Sequence, residues 1–151
     1  MKTEYTFEIL TDHFQLLFGD ERKAPILDTT SLWDTSGSVV SLPGHSELIG
    51  LGTVRYGGTT RLTLSFQSCE QEGWPGWERM GDFEVSLPSG RLIFWGPEID
   101  DIDAAQGIDV DPGIYHGIAF CRGIEKVQNE MDTTGPDEYL LVLTQRRRAT
   151  T

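Results

Sequence analysis

The densest group of side chains able to do chemistry is a run of carboxylates between Arg91 and Arg122, a stretch without lysine or arginine. Its six acids are Glu98, Asp100, Asp101, Asp103, Asp109 and Asp111. Hard oxygen ligands in such a run could bind calcium, and clustered carboxylates could equally attract a basic protein surface. The third interpretation is a solvated loop that joins two apolar strands.

The calcium interpretation can be tested by comparing the sequence with the consensus of the EF-hand loop. The aspartates supply suitable carboxylates, but Ala105 and Gln106 occupy the third ligand position and the required glycine. Pro112 stands where the loop needs a bidentate glutamate. The EF-hand pattern therefore fails. The sequence predicts no metal site and no cofactor, and we take the six acids as a candidate partner-binding surface.

Two tryptophans form a second candidate contact. Trp74 and Trp77 lie in the turn sequence GWPGW at residues 73–77, within an otherwise polar stretch. Large rings of this kind can stack on sugars or anchor a protein interface. The alternative is that one or both rings fold back and cap an end of the fold. We include both tryptophans among the candidate partner-binding residues.

Residues for catalysis are few. The three histidines are scattered without metal-ligand spacing, and the sequence contains no nucleophile elbow, zinc-protease motif, phosphate loop or dinucleotide fingerprint. His116 and Cys121 would point to opposite faces of one strand, about 16 Å apart. Cys69 and Cys121 fit no zinc or redox pattern, so we interpret them as small buried hydrophobic residues. The sequence predicts a protein that is not an enzyme.

Charge narrows the choice of partner. The 151 residues carry 24 acids and 12 bases, a net charge of −12, which argues against a protein that grips nucleic acid by its phosphates. Three of the bases are Arg146–Arg148, so residues 1–145 have a net charge of −15. No segment has the length of a membrane span or the form of a secretory signal. We expect a cytoplasmic protein that does not bind membranes. The sequence does not predict its oligomeric state.

Period-two alternation dominates the chain and predicts strands that could hold these side chains. The parity of the apolar residues changes between residues 5–9 and 14–18, which predicts either a bulge in one long strand or a corner between sheets. Residues 83–87 and 91–95 flank the turn sequence PSG and predict a hairpin. Further strands are predicted at residues 38–41, 47–51, 53–56, 61–67, 114–121 and 139–143, and short helical turns at 102–106 and 125–131.

Seven to nine short strands separated by glycine and proline turns are typical of an all-β, mainly antiparallel fold, either a two-sheet sandwich or a jelly roll. No change of composition marks a linker. We therefore expect one domain at residues 1–145, followed by a basic, disordered tail at residues 146–151.

Several short motifs occur in order along the chain: residues 12–16 (DHFQL), Asp28, residues 33–34 (WD) and residues 83–90 (FEVSLPSG). Together they resemble the competence protein J family of bacterial inhibitors of a DNA-entry nuclease. Residues 111–115 (DPGIY) and 138–141 (EYLL) also resemble the end of a wider set of bacterial β domains. The segments 96–111 and 73–77 have no counterpart in the family, and no inhibitory residue carries over. The resemblance implies a non-enzymatic protein that blocks a nuclease or toxin.

Two hypotheses about function follow. The first is an inhibitor or immunity-type protein whose acidic loops occupy the basic cleft of a nuclease or toxin, with Trp74 or Trp77 as anchors. The second is a small-ligand or carbohydrate-binding sandwich that uses the tryptophan turn, with calcium as a structural ion.

Overall fold

The computed structural model describes residues 4–11, 14–21, 39–42, 45–68, 74–95 and 106–148. These ranges contain ten strands: β1 (Glu4–Thr11), β2 (Gln15–Asp20), β3 (Val39–Leu42), β4 (His45–Gly52), β5 (Gly58–Gln67), β6 (Glu78–Leu87), β7 (Arg91–Trp95), β8 (Gln106–Asp109), β9 (Gly113–Arg122) and β10 (Glu138–Arg148). Within the same ranges the only helical element is a single 3-10 turn, Ile124–Lys126.

The strands form two five-stranded sheets. The first sheet has the order β1-β5-β10-β9-β6 and the second has the order β3-β4-β2-β7-β8. Neighbouring strands are antiparallel except β5 and β10, which are parallel. The predicted all-β, mainly antiparallel sandwich is confirmed. The strand count exceeds the predicted seven to nine. β3 lies close to the strand predicted at residues 38–41, whereas the four-residue edge strand β8 was not predicted.

One continuous core lies between the sheets. It is built from the inward-facing residues of both, and among its fully buried members are Leu62 and Leu64 of β5, Phe18 of β2 and Leu141 of β10. The alternation predicted for residues 61–67 is therefore confirmed by burial. Because each strand contributes every second residue to this core, the register of the sheets is fixed by the apolar pattern.

The change of parity near residue 12 is a corner. β1 pairs with β5 in the first sheet, whereas β2 pairs with β4 and β7 in the second. At the corner Phe14 adopts a positive φ of 59°. Its amide donates to the Tyr56 carbonyl at 2.8 Å, and its carbonyl accepts from the Thr53 amide at 2.9 Å. Of the two predicted alternatives, the structure selects the change of sheet.

The hairpin predicted at residues 83–95 is wrong. β6 pairs with β9 in the first sheet, while β7 pairs with β2 and β8 in the second. The turn at residues 88–90 is therefore a crossing between the sheets, held in place by the Ser89 amide, which donates to the Asp20 carboxylate at 2.9 Å. Val85 and Phe94 belong to the same core, so the two segments face each other across the sandwich instead of pairing edge to edge.

Three further predictions need correction. Residues 53–56 are irregular and not a strand, because the Arg55 side chain turns inward there and uses nearby backbone carbonyls. Residues 125–131 form only the 3-10 turn and bends, and Gln106 begins β8, while residues 102–105 lie outside the described ranges. β10 continues to Arg148, beyond the predicted domain end at residue 145, because β9 offers partners as far as Gly113.

Candidate functional site

Two of the six predicted acidic residues lie in the part of the chain that the structure describes. Glu98, Asp100, Asp101 and Asp103 lie outside the described residues. Asp109 and Asp111 are described and exposed, one at the end of β8 and the other in the turn before β9. Gln106 and Asp109, at opposite ends of β8, are separated by about 10 Å of strand.

Three hydrogen bonds hold the backbone of the turn at residues 109–113. The Val110 amide donates to the Gly90 carbonyl at 2.9 Å. The Tyr115 hydroxyl donates to the Asp111 carbonyl at 2.7 Å, and the Gln145 side-chain amide donates to the Pro112 carbonyl at 3.2 Å. Backbone groups satisfied in this way stabilise the backbone of the turn that carries the two aspartates.

Beneath this turn is a cavity of about 560 Å³. Tyr5, Phe66 and Tyr115 line it with aromatic rings, and Leu143 adds an apolar surface that is 1% exposed. These residues come from four adjacent strands of the first sheet and alternate into its inner face. The cavity is therefore an opening into the end of the sandwich core, and its volume lies within the usual range of ligand pockets.

The rim of the cavity is acidic. Both Asp109 and Asp111 line it. The Asp109 carboxylate accepts from the Arg91 guanidinium at 3.1 Å, and Arg91 also lies 3.5 Å from Glu21. Arg91 thus contacts two carboxylates, those of Asp109 and Glu21, while Asp111 stands without an ion pair within the described part of the chain. The arginines at the end of β10 lie beside the same turn, because Arg147 and Arg148 are in register with Ile114 and Gly113.

The tryptophan turn lies elsewhere. Trp74 and Trp77 are half-buried against an apolar patch on the outer face of the first sheet, which consists of Ile118, Phe120, Leu140 and Val142. The ring centroids of Trp74 and Phe120 are 6.4 Å apart. Along β9, Gly113 beside the acidic turn and Phe120 beneath Trp74 are separated by about 24 Å. The two tryptophans fold back onto a sheet face rather than onto the cavity end, and they do not adjoin the acidic turn.

A row of alternating charges crosses the same outer face beside the tryptophans. Glu8, Arg61, Glu138 and Arg122 occupy facing positions on four neighbouring strands. Arg122 donates to the Glu138 carboxylate at 2.8 Å and lies 4.1 Å above the centre of the Trp77 ring. The hydrogen bond from Arg122 lowers the pKa of the Glu138 carboxyl, with a further contribution from Arg61. Such cross-strand pairs contribute modestly to stability.

Sequence reasoning missed a buried polar cluster. Arg55 is 2% exposed, and its guanidinium donates to the Asp137 carboxylate at 2.6 Å. Further donations reach the carbonyls of Gly57, Thr59 and Asp132. The cluster is closed to solvent, so its role is structural. The only hint in the sequence is an arginine among apolar residues before a Gly-Gly pair. The alternating pattern around it led to the prediction of a strand at residues 53–56 instead.

Sequence reasoning also missed the cavity. The alternation pattern correctly places Tyr5 and Phe66 on inward faces, but it cannot tell a filled core from an open one. The histidine and cysteine considered for catalysis are placed as predicted: Cys121 faces the core, while His116 on the outer side lies 3.4 Å from Asp82. Burial raises the pKa of the Cys121 thiol, with additional contributions from nearby glutamates.

The described residues include no group of three histidine, cysteine or acidic side chains arranged to hold a metal ion. Of the four aspartates behind the calcium interpretation, Asp109 and Asp111 are among these residues, whereas Asp101 and Asp103 lie outside them. No helix in the described ranges is long and apolar enough to cross a bilayer.

No protein-family model matches the sequence, and no curated protein matches it. Two solved structures are similar to the whole chain. One bears the name Crocagin biosynthetic gene J, with a TM-score of 0.60 and 20% identity over 97% of this chain and 100% of that one. The other is ComJ, inhibitor of the DNA-degrading activity of NucA, from Bacillus subtilis. It has a TM-score of 0.67 and 9% identity over 96% of this chain and 98% of its own.

Structural similarity at such low sequence identity establishes the fold alone. The roles of individual residues have to be argued from this chain's own structure. The resemblance to the competence protein J family that the short motifs predicted is confirmed as a likeness of structure. This chain is therefore a two-sheet sandwich with the fold of ComJ over nearly its whole length.

Proposed function

We propose that this protein is a non-enzymatic inhibitor that binds a basic nuclease or toxin through its acidic surface. The observation that carries the proposal is the similarity to ComJ, which spans almost all of both chains, and ComJ inhibits a DNA-degrading nuclease. A match of this extent includes strands of both sheets.

The charge of the chain supports the same proposal. A nuclease must offer a positive surface to the phosphates of DNA, and a protein with a net charge of −12 is attracted to such a surface over long distances. Electrostatic attraction mainly raises the association rate, while close contacts set the dissociation rate. Asp109 and Asp111, on a turn held by three hydrogen bonds, supply charges for the close contacts.

The other predicted contact residues would contribute in two different ways. Glu98, Asp100, Asp101 and Asp103 would add charge for attraction in solution. Trp74 and Trp77 would form a second contact on another face of the molecule. Because the tryptophans already cover an apolar patch, only their outward surface is offered to a partner.

The test measures DNA degradation by NucA and by a panel of basic nucleases with increasing amounts of this protein. We expect inhibition of at least one nuclease, weaker at high salt because ions screen the attraction. The double variant Asp109→Asn/Asp111→Asn should inhibit less, and the control Asp82→Asn/Glu84→Gln, two exposed acids on β6, should inhibit as well as the unmodified protein. Full nuclease activity across the panel, together with no binding of any of these nucleases at low salt, would overturn the proposal.

Binding of a small ligand is the second candidate, and the 560 Å³ cavity favours it. The sequence suggested the tryptophan turn as the sugar site, whereas the cavity is a separate place lined by Tyr5, Phe66 and Tyr115. Thermal unfolding with a set of sugars and with calcium separates the candidates. A ligand at 100 times its dissociation constant adds about 2.7 kcal/mol to the free energy of unfolding, whereas an inhibitor without such a ligand gives no shift.

A further inference from the structure

The aromatic cavity under the acidic turn has the composition of a receptor for a cation. Tyr5 and Phe66 meet edge to face, with ring centroids 6.2 Å apart and planes at 90°. Phe66 and Tyr115 meet at 6.1 Å and 73°. Rings at such angles present faces in different directions around the space that they line. A cation within about 6 Å of an aromatic face is attracted by the negative potential of the ring.

The polar groups of the cavity select the same charge. Asp109 and Asp111 stand at the rim, and Gln67 and Gln145 supply amide oxygens. Among the described lining residues there is no lysine or arginine. Arg91 pairs with Asp109 from outside the cavity lining, whereas Asp111 has no ion pair among the described residues, so an anion would still meet one uncompensated carboxylate. Guanidinium and ammonium groups both donate hydrogen bonds and accept none, so either one matches a rim of carboxylate and amide oxygens.

The apolar part of the cavity fits the stem that carries such a cation. Leu143 and Val110 line it beside the rings. Lysine and arginine bury their methylene stems along apolar surface while the charged end remains with polar groups. A side chain that enters beneath the acidic turn could therefore place its methylenes on Leu143 and its charge between the rings and the carboxylates.

We propose that this cavity receives one arginine or lysine side chain from the partner protein. The inference rests on the proposed function, because a basic partner is what brings such a side chain to this surface. The turn that bears the carboxylates is already fixed by Tyr115, Gln145 and Gly90. A preorganised receptor loses little conformational freedom on binding, which favours a tight contact. Asp109, whose side chain is 90% exposed, remains accessible to a protein approaching from outside.

The probe is N-acetyl-arginine amide, and N-acetyl-citrulline amide is its control because citrulline has nearly the same shape without the charge. Titration followed by NMR should show arginine binding at least tenfold more tightly than citrulline. Asp111→Asn should weaken arginine binding at least threefold and leave the fold intact, since only the backbone carbonyl of Asp111 takes part in the turn. Phe66→Leu tests the ring, and Asp82→Asn on β6 serves as a matched exposed acid.

Three outcomes overturn the inference: equal binding of the two probes, unchanged arginine binding in both Asp111→Asn and Phe66→Leu, or arginine binding that appears only after Arg146–Arg148 are changed to glutamine. The last result would mean that the chain's own arginines, which follow Gln145 on β10, occupy the cavity.

Nuclease inhibition separates this inference from the proposed function. If Asp111→Asn and Phe66→Leu still inhibit fully, the cavity inference fails alone. If arginine binds but no nuclease is inhibited, the proposed function fails alone.

Discussion

Replacing Arg55 with methionine should destabilise the protein far more than its position in an irregular loop suggests. The side chains of Arg55 and Asp137 are 2% and 0% exposed, and they meet at 2.6 Å. Methionine keeps most of the aliphatic stem but removes every donor. It leaves a buried carboxylate and three backbone carbonyls, those of Gly57, Thr59 and Asp132, without the guanidinium.

The expected magnitude follows from this loss. Removing one partner of a buried ion pair costs about 3–5 kcal/mol, because the remaining charge stays buried without compensation. For a chain of this size each kcal/mol lowers Tm by about 2–4 °C, so Arg55→Met should lower it by roughly 6–20 °C. Asp137→Asn should cost less, because the guanidinium keeps its three carbonyl acceptors and Asp137 Oδ2 accepts no hydrogen bond in the described structure.

Urea unfolding followed by tryptophan fluorescence measures these changes at pH 7. The matched control is Arg61→Met, which removes two exposed pairs at 3.3 and 3.6 Å and should cost under about 1 kcal/mol. The double variant Arg55→Met/Asp137→Leu should lose less than the two single losses added together, since no lone charge remains. If Arg55→Met proves as mild as Arg61→Met, the buried pair does not hold the loop and the reasoning fails.

Three further predictions concern acid stability, thiol reactivity and core packing. The lowered pKa of Glu138 means that its ion pairs stabilise the fold above the ordinary pKa of a glutamate and cease to do so as pH falls through the lowered value. The stability difference between the unmodified protein and Glu138→Gln, up to about 1 kcal/mol at pH 7, should therefore shrink in urea unfolding at pH 3, and a constant difference would contradict this. In a Cys69→Ser variant, burial and the raised pKa should keep the Cys121 thiol unreactive toward a disulfide reagent at pH 7 until urea unfolds the chain; immediate labelling of the native protein would refute this. Gly117→Ala would place a methyl group 2.1 Å from the Phe83 ring, so calorimetry should show a loss of about 1–3 kcal/mol, relieved in part by adding Phe83→Leu, whereas an unchanged Tm would contradict the close approach.

Local pattern was a good guide to the fold wherever burial follows alternation. The strand around Leu62 and Leu64, the all-β class and the change of parity before Phe14 were all readable, because a residue's face in a strand depends only on its position in the sequence. The resemblance to the competence protein J family could be proposed for the same reason, since the motifs that carry it consist largely of turn and core residues.

Pairing was a poorer guide. The segments on either side of Ser89 look like a hairpin in sequence, yet they belong to different sheets. A tight turn followed by an apolar strand is compatible with both arrangements, and the choice depends on which partners the remaining strands provide. The strand predicted at residues 53–56 failed because the hydrogen bonds of Arg55 are made with residues that are distant in sequence, such as Asp137.

The sequence by itself determined the negative charge, the all-β class and the presence of an acidic segment and a tryptophan turn, because these depend on composition and on local periodicity. Only the tertiary structure decided that Asp109 and Asp111 stand over an aromatic cavity while Trp74 and Trp77 lie on another face. The cavity brings together residues from both ends of the chain, Tyr5 and Gln145 among them. Such neighbours meet through the order of strands in a sheet, which is set by the whole core and not by any local pattern.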